Sequence, residues 1–368
     1  MELYYCVTST GNFGDDINQW IWKELLPECW SKDDETTFVA IGTILDICIP
    51  DTKNKVVFGS GVGYKAIPDL NSGHWDISFV RGPITARILG IDDSKSVTDS
   101  AIATRLLFDV VPENERKGVV FMPHVSARFN GVWEEICKDL DIEFLDPTQD
   151  AKTLIKKIAS SEKVIADAMH AAIIADTMRV PWIPVTSSVE INIIKWLDWT
   201  KSMSVEYRPS FLPKSCLYEW IKNRYFVLGK RGYGFFGKKL VSDDDVDILV
   251  DNYIDKHSKW STHSGVSETL EASGESGVPE ESKESEESII AKDSYNITDS
   301  TNFLRKTLGL KIVKILIYPV ERLLFINARK EMRKIKEAKG YLSDEAIFNE
   351  KLARITELLE DIRKKYGR

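Results

Sequence analysis

The sequence predicts an α/β protein with two Rossmann-like units and a helical C-terminal extension. Short β-branched and aromatic runs alternate with helical patterns through residues 1–200, the rhythm of parallel sheets with helical crossovers. That rhythm restarts after residue 115, so a second unit follows the first. A long stretch with one apolar seam closes the chain. A chain of 368 residues also suits about two domains.

The first unit, residues 1–115, opens with a strand over 3–7, a glycine-rich loop and a helix near 17–26. Residues 38–41, 56–58 and 77–80 are further short strands, the second running into glycine and the third into Arg81. In the second unit, 116–200, strands are expected over 118–122, 143–145, 164–166 and 182–185. Helices fit 131–139, 150–160 and 169–178. Such paired units bind ligands beyond the carboxyl ends of their strands, in the cleft between them.

Residues 201–260 carry aromatics and glycines and read as irregular, with a basic loop at 229–234. Residues 261–301 are rich in Ser, Glu and Gly and read as a disordered acidic linker. Residues 302–368 read as helical, with Pro319 breaking or kinking the earlier part. Ser343 is the expected N-cap of the last helix. Its apolar residues Phe348, Leu352, Ile355, Leu359 and Ile362 suit docking on the body of the protein.

Charge narrows the partners. The chain has 57 acidic and 49 basic side chains, net −8, and residues 264–288 alone contribute −7 through eight Glu and one Lys. Nucleic acid is therefore not expected as a partner. Five scattered cysteines without CxxC spacing read as buried reduced thiols. With no signal-peptide pattern, they place the protein in the cytoplasm. The segment 308–326 reads as core packing, with a membrane surface as its alternative contact.

Candidate chemistry clusters at predicted strand ends. Gly11-Asn12-Phe13-Gly14-Asp15-Asp16 follows strand one, where glycines admit a ligand and helix amides can hold an anion. Asp15 and Asp16 either cap that helix or serve as bases. Gly59, Ser60 and Gly61 form a second glycine-rich turn. Arg81, between a strand and a helix, suits an anion clamp. His124 and His170 both end strands of the second unit, and Asp167 lies three residues before His170. No metal-ligand spacing and no serine or cysteine nucleophile motif is present.

Together these segments resemble the polysaccharide pyruvyl transferases, within them the succinoglycan-type ketal pyruvyl transferases. GNFGDDIN at 11–18, FGSGVG at 58–63, VRGPITARILG at 80–90 and TDSAIATRLL at 98–107 carry the resemblance. MPHVSARFNGVW at 122–133 and IADAMHAAIIADTMRVPWIPV at 165–185 continue it. Two positions depart from the pattern: Asp167 stands where Glu is expected, and Val125-Ser126 where His-Glu is usual.

The resemblance implies a GT-B-like pair of Rossmann-like domains, with the acceptor side and arginine clamp in the first and the donor side in the second. It implies transfer from phosphoenolpyruvate to a sugar diol of a polysaccharide or lipid-linked oligosaccharide, giving a pyruvate ketal and phosphate. Arg81, with Lys195, would clamp the donor. His170 would be the acid, and Asp15, Asp16, His124 or Asp167 the base. No cofactor is implied. A GT-B nucleotide-sugar glycosyltransferase and a scaffold recruiting partners through the acidic tract are the alternatives. The acceptor sugar and the oligomeric state are left open by the sequence.

Overall fold

A computed structural model describes residues 1–30, 35–228, 243–261 and 310–367. Two all-parallel sheets organise the chain. The first, in the order β1-β2-β3-β4, contains β1 (Glu2–Tyr4), β2 (Thr36–Val39), β3 (Asn54–Phe58) and β4 (His74–Phe79). The second, in the order β6-β5-β7-β8-β9, contains β5 (Val119–Met122), β6 (Glu143–Phe144), β7 (Lys163–Ala166), β8 (Trp182–Thr186) and β9 (Ser210–Phe211). Every strand pair in both is parallel, so the architecture is α/β as the alternation implies.

Central strands are apolar on both faces, as parallel sheets covered by helices require. Phe38 of β2, Phe58 of β3 and Trp22 pack edge to face or stacked, with ring centroids 5.5–5.8 Å apart. In the second sheet Phe121 sits in register with Ile165, and Ile165 with Ile183. Trp182 at the start of β8 packs on Trp199, with centroids 5.2 Å apart.

Helices α1 (Phe13–Asp16), α2 (Asn18–Leu25) and α3 (Pro83–Leu89) accompany the first sheet. Helices α4 (Val125–Asn130), α5 (Trp133–Asp139), α6 (Ala151–Ala159), α7 (Met169–Thr177) and α8 (Ile193–Ser202) accompany the second. Helix α7 is apolar nearly all round, and its residues from Ala171 to Thr177 are buried. It packs on β7, β8, α6 and the 3₁₀ turn Ser100–Leu106. That embedding fixes His170 in its first turn.

Several expectations are corrected. Strand β1 ends at Tyr4, short of residue 7. Helix α4 was not visible in the pattern, because its start depends on His124, whose Nδ1 accepts from the Ser126 amide. Between 201 and 228 the chain adds β9 to the second sheet and forms helix α9 (Leu217–Leu228), and α10 (Asp243–Ser261) follows. The glycine and aromatic content that suggested irregular chain is concentrated in 229–242, outside the described residues. Nearly all of the acidic linker at 261–301 is likewise outside them.

Helix α11 (Leu310–Glu337) runs through Pro319 without interruption. Proline removes one amide and leaves the other hydrogen bonds of so long a helix in place. The N-cap of α12 (Glu345–Tyr366) is Asp344, whose carboxylate accepts from the amides of Ala346 and Ile347. Ser343 instead points inward and donates to Asp176 at 2.6 Å. The seam of α12 is docked: Phe348, Ile355, Leu359 and Ile362 join the main core. Of the five free cysteines, Cys29, Cys137 and Cys216 are buried, Cys6 is half-buried and Cys48 is exposed, so burial is not general. Among the described residues no helix is long and apolar enough to cross a membrane.

Candidate active site

The loops at the carboxyl ends of the two sheets meet. The Phe13 amide donates to the Pro147 carbonyl at 2.8 Å, joining the loop after β1 to the loop after β6. Asn192 Nδ2 donates to the Gly63 carbonyl at 2.6 Å, and Lys195 Nζ to the Tyr64 hydroxyl at 2.8 Å, joining the start of α8 to the turn after β3.

Gly14 shows how close this meeting is. A Cβ at that position would lie 1.9 Å from Nδ1 of His170. The absence of a side chain on α1 therefore gives the imidazole its place. Gly11 has φ +83°, a conformation that favours glycine. It lies beside the Thr148 carbonyl, where a Cβ would stand 3.2 Å away.

The rest of the 11–18 loop is braced internally. Asn12 donates from its amide to Asp16 Oδ2 at 2.9 Å and from Nδ2 to Asp15 Oδ2 at 2.6 Å. Asp16 also accepts from Gln19, and burial raises its pKa above the usual carboxylate range against those two donors. Asp15 is buried, with Oδ1 near Gly42.

Arg81 is wholly enclosed. Nε donates to Asp198 Oδ2 at 2.9 Å, NH1 to Thr43 Oγ1 at 2.7 Å and NH2 to the Val62 carbonyl at 3.3 Å. Gly61 leaves room for it, since a Cβ there would sit 2.3 Å from the guanidinium carbon. Asp198 also accepts from Thr85, from the amide at 2.9 Å and the hydroxyl at 2.6 Å, so α8 is pinned to α3. The guanidinium thus lies behind the glycine turn, while Lys195 is the half-buried cation.

Ser60 is also an interior group; its hydroxyl donates to the Gly42 carbonyl. Gly59 has φ +86° and passes over Ser100, where a Cβ would be 2.6 Å from that side chain.

Asp99 was not singled out from the sequence, although it lies within the 98–107 segment. It is fully buried just past the bridge between Val80 and Ser96. Oδ1 accepts from the Ala101 amide at 2.9 Å. Oδ2 has no hydrogen-bond partner and lies 3.8 Å from Nε2 of His170, which has none either. Burial pushes the Asp99 carboxyl up to about 6, against the pull of Arg81. Burial, with the charges of Lys195 and Arg81, lowers His170 to about 3. An acceptor-only carboxylate and a neutral imidazole thus face each other with a proton's worth of unused capacity between them.

His124 and Asp167 lie on the second-sheet side. Asp167 is a brace: Oδ2 accepts from the His124 amide at 2.9 Å and the Ser187 hydroxyl at 2.6 Å, and Oδ1 from the Ser187 amide at 3.0 Å. It ties the ends of β5 and β8 together. Burial raises its pKa. His124 Nδ1 is 2.9 Å from Ser126 Oγ. Burial, then Lys195, lowers this imidazole to about 3. Lys195 therefore acts on both histidines.

The site so formed brings together Gly11, Asn12, Gly14, Asp15 and Asp16 with His170, and Gly59, Gly61 and Arg81 with Asp99. Chemically it offers a neutral imidazole beside a buried carboxyl, with an ammonium and a guanidinium in one field.

A family model described as polysaccharide pyruvyl transferase matches residues 12–189. The chain is also similar to succinoglycan biosynthesis protein ExoV of Rhizobium meliloti (strain 1021), 39% identical over 217 residues, which cover 58% of this chain and 69% of that protein. No solved structure matches.

Proposed function

The chain belongs to the polysaccharide pyruvyl transferase family, and on that footing we propose that it makes a cyclic ketal from phosphoenolpyruvate and a sugar diol of a polysaccharide or its lipid-linked precursor. The observation that carries this reading is the pair His170–Asp99, polar atoms 3.8 Å apart without partners, in the field of Arg81 and Lys195.

In this reading the two parallel sheets are a GT-B-like pair of domains, and the donor lies between their carboxyl ends. The half-buried Lys195 meets its phosphate or carboxylate, and Arg81 adds positive charge from behind Gly61. The bound dianion offsets the cationic field that, with burial, keeps His170 neutral, so the imidazole gains a proton as the donor arrives. His170 then protonates the enol methylene or the departing phosphate. Asp99, ionised, stabilises the imidazolium. The base for the sugar hydroxyl is Asp15 or His124, since both oxygens of Asp167 and both of Asp16 are engaged.

The step balances. The first hydroxyl adds to the central carbon of the enol, whose methylene takes up a proton. The second hydroxyl displaces phosphate, which leaves with the other proton. No electrons are exchanged with a second reagent.

Exposed apolar side chains on α11, among them Tyr318, Val320, Leu323 and Ile326, fit peripheral contact with a membrane carrying a lipid-linked acceptor at its cytoplasmic face. Incubation with phosphoenolpyruvate and glycan acceptors tests the function. Phosphate release with a product heavier by one pyruvylidene group is the expected result. Nucleotide release from a nucleotide sugar, with phosphoenolpyruvate inert, would overturn it in favour of glycosyl transfer.

A further inference from the structure

Lys195 stands at an electrostatically unfavourable place. It is the third residue of α8, just after the N-cap Asn192, where the helix dipole repels a cation. Among the described residues no carboxylate pairs with it; its hydrogen-bond partner is Tyr64, whose phenol oxygen accepts from Nζ at 2.8 Å. Breaking that local rule without a built-in counter-ion is the mark of a residue kept for a ligand.

Tyr64 was not singled out from the sequence. Its place follows from the residue before it. Asn192 and Lys195 lie three positions apart at the start of α8 and grip two successive residues of the turn after β3. Asn192 Nδ2 donates to the Gly63 carbonyl at 2.6 Å, and Lys195 Nζ to the Tyr64 hydroxyl. Gly63 permits this approach, since a Cβ there would lie 2.9 Å from Asn192 Nδ2. The backbone bond to Gly63 thus sets the phenol against the ammonium.

A fixed ammonium results. A lysine carries its charge on a flexible four-carbon stem and, unheld, samples many positions. Here the far end is tied where its charge bears on both His124 and His170. A phenol oxygen accepts the hydrogen bond without a full negative charge. A carboxylate in its place would compete with any anionic ligand for the same cation.

We propose that Tyr64 is a positioning residue, holding the Lys195 ammonium in place for the anionic donor. The donor is that of the pyruvyl-transfer reading; the hold on Lys195 does not depend on it. Once bound, the donor's own charge keeps the ammonium where it is, so Tyr64 acts on binding and not on the chemical step.

The test is isothermal titration calorimetry on the full chain with phosphoenolpyruvate, inorganic phosphate and uridine diphosphate as probes. Tyr64→Phe keeps the ring and removes the accepting oxygen. It should weaken each probe that binds the wild type by about fivefold, because the lysine must then be ordered on binding. In a Lys195→Met background the same change should have no further effect, since no ammonium remains to be held. In kinetics Tyr64→Phe should raise the phosphoenolpyruvate KM by a similar factor and leave kcat within about twofold of the wild type. Wild-type affinity in Tyr64→Phe, equal weakening with and without Lys195, or a fall in kcat at unchanged KM would overturn the inference, as would a wild type that binds none of the three probes. Uridine diphosphate binding that follows the expected pattern, with phosphoenolpyruvate not bound, would sink the pyruvyl-transfer reading and leave the role of Tyr64 standing.

Discussion

His170 fills the volume a side chain on Gly14 would need: a Cβ there would lie 2.4 Å from Cγ of the imidazole. The glycine of the first loop and the histidine of the second sheet are thus two halves of one fit.

Gly14→Ala should therefore act as a histidine variant without touching the histidine. The added methyl displaces the ring, and turnover should fall by a factor on the order of 10². The unfolding midpoint should drop by only a few degrees, because the His170 side chain is 16% exposed and can shift toward solvent. Phosphate-release kinetics alongside a melting curve check this; wild-type turnover in the alanine variant would show that the ring position is not critical.

Asp99→Asn separates function from stability. The folded chain raises the Asp99 pKa from 3.8 to about 6, so it binds that proton more tightly than the unfolded chain does. The stability linked to this proton is fully present below about pH 3.8 and is lost as pH rises through about 6. Its slope reaches about 1.4 kcal/mol per pH unit at most. The asparagine variant should lose this slope and be no less stable than the wild type at pH 7. Its turnover should nevertheless fall by a factor on the order of 10². Denaturant titrations at several pH values, with kinetics at pH 7, report both. A destabilised variant at neutral pH would mean the carboxylate is needed by the fold.

Asp198→Ala should cost about 3–5 kcal/mol, since it leaves the enclosed Arg81 guanidinium without its counter-charge. Arg81→Ala should cost a similar amount, and the double variant less than the sum of the two. Equilibrium unfolding of the three variants measures the coupling. A loss of turnover in Arg81→Ala is informative about donor binding only once this structural cost is known. Strict additivity would show that the pair is not coupled.

Much of the fold was legible because parallel strands such as β3, β5 and β7 are continuous apolar runs, and because glycine follows β3 where the turn needs φ +86°. His170 and Gly14 were legible as residues following predicted strands, whereas Lys195 was reached only through the family resemblance. Arg81 was legible in position but not in its setting, because its counter-ion Asp198 lies 117 positions away and leaves no local pattern. Asp99 was hidden for a related reason. A lone Asp before a small residue reads as a turn or cap, which it is for the Ala101 amide. Only the folded chain sets its other oxygen opposite His170. The cap of α12 shifted by one residue because Ser343 found a better partner in Asp176.

Helix α12 begins against the second sheet, where Tyr341 pairs with Trp182 and Arg179 donates to the Ser343 carbonyl. It finishes against the first, where Lys365 and Tyr366 hold Asp76 and Arg363 pairs with Glu28. At 22 residues it is a tie rod roughly 33 Å long, anchored at either end. Prising the sheets apart would have to detach one of those anchorages, and cutting the rod should be felt as slackness far from the cut.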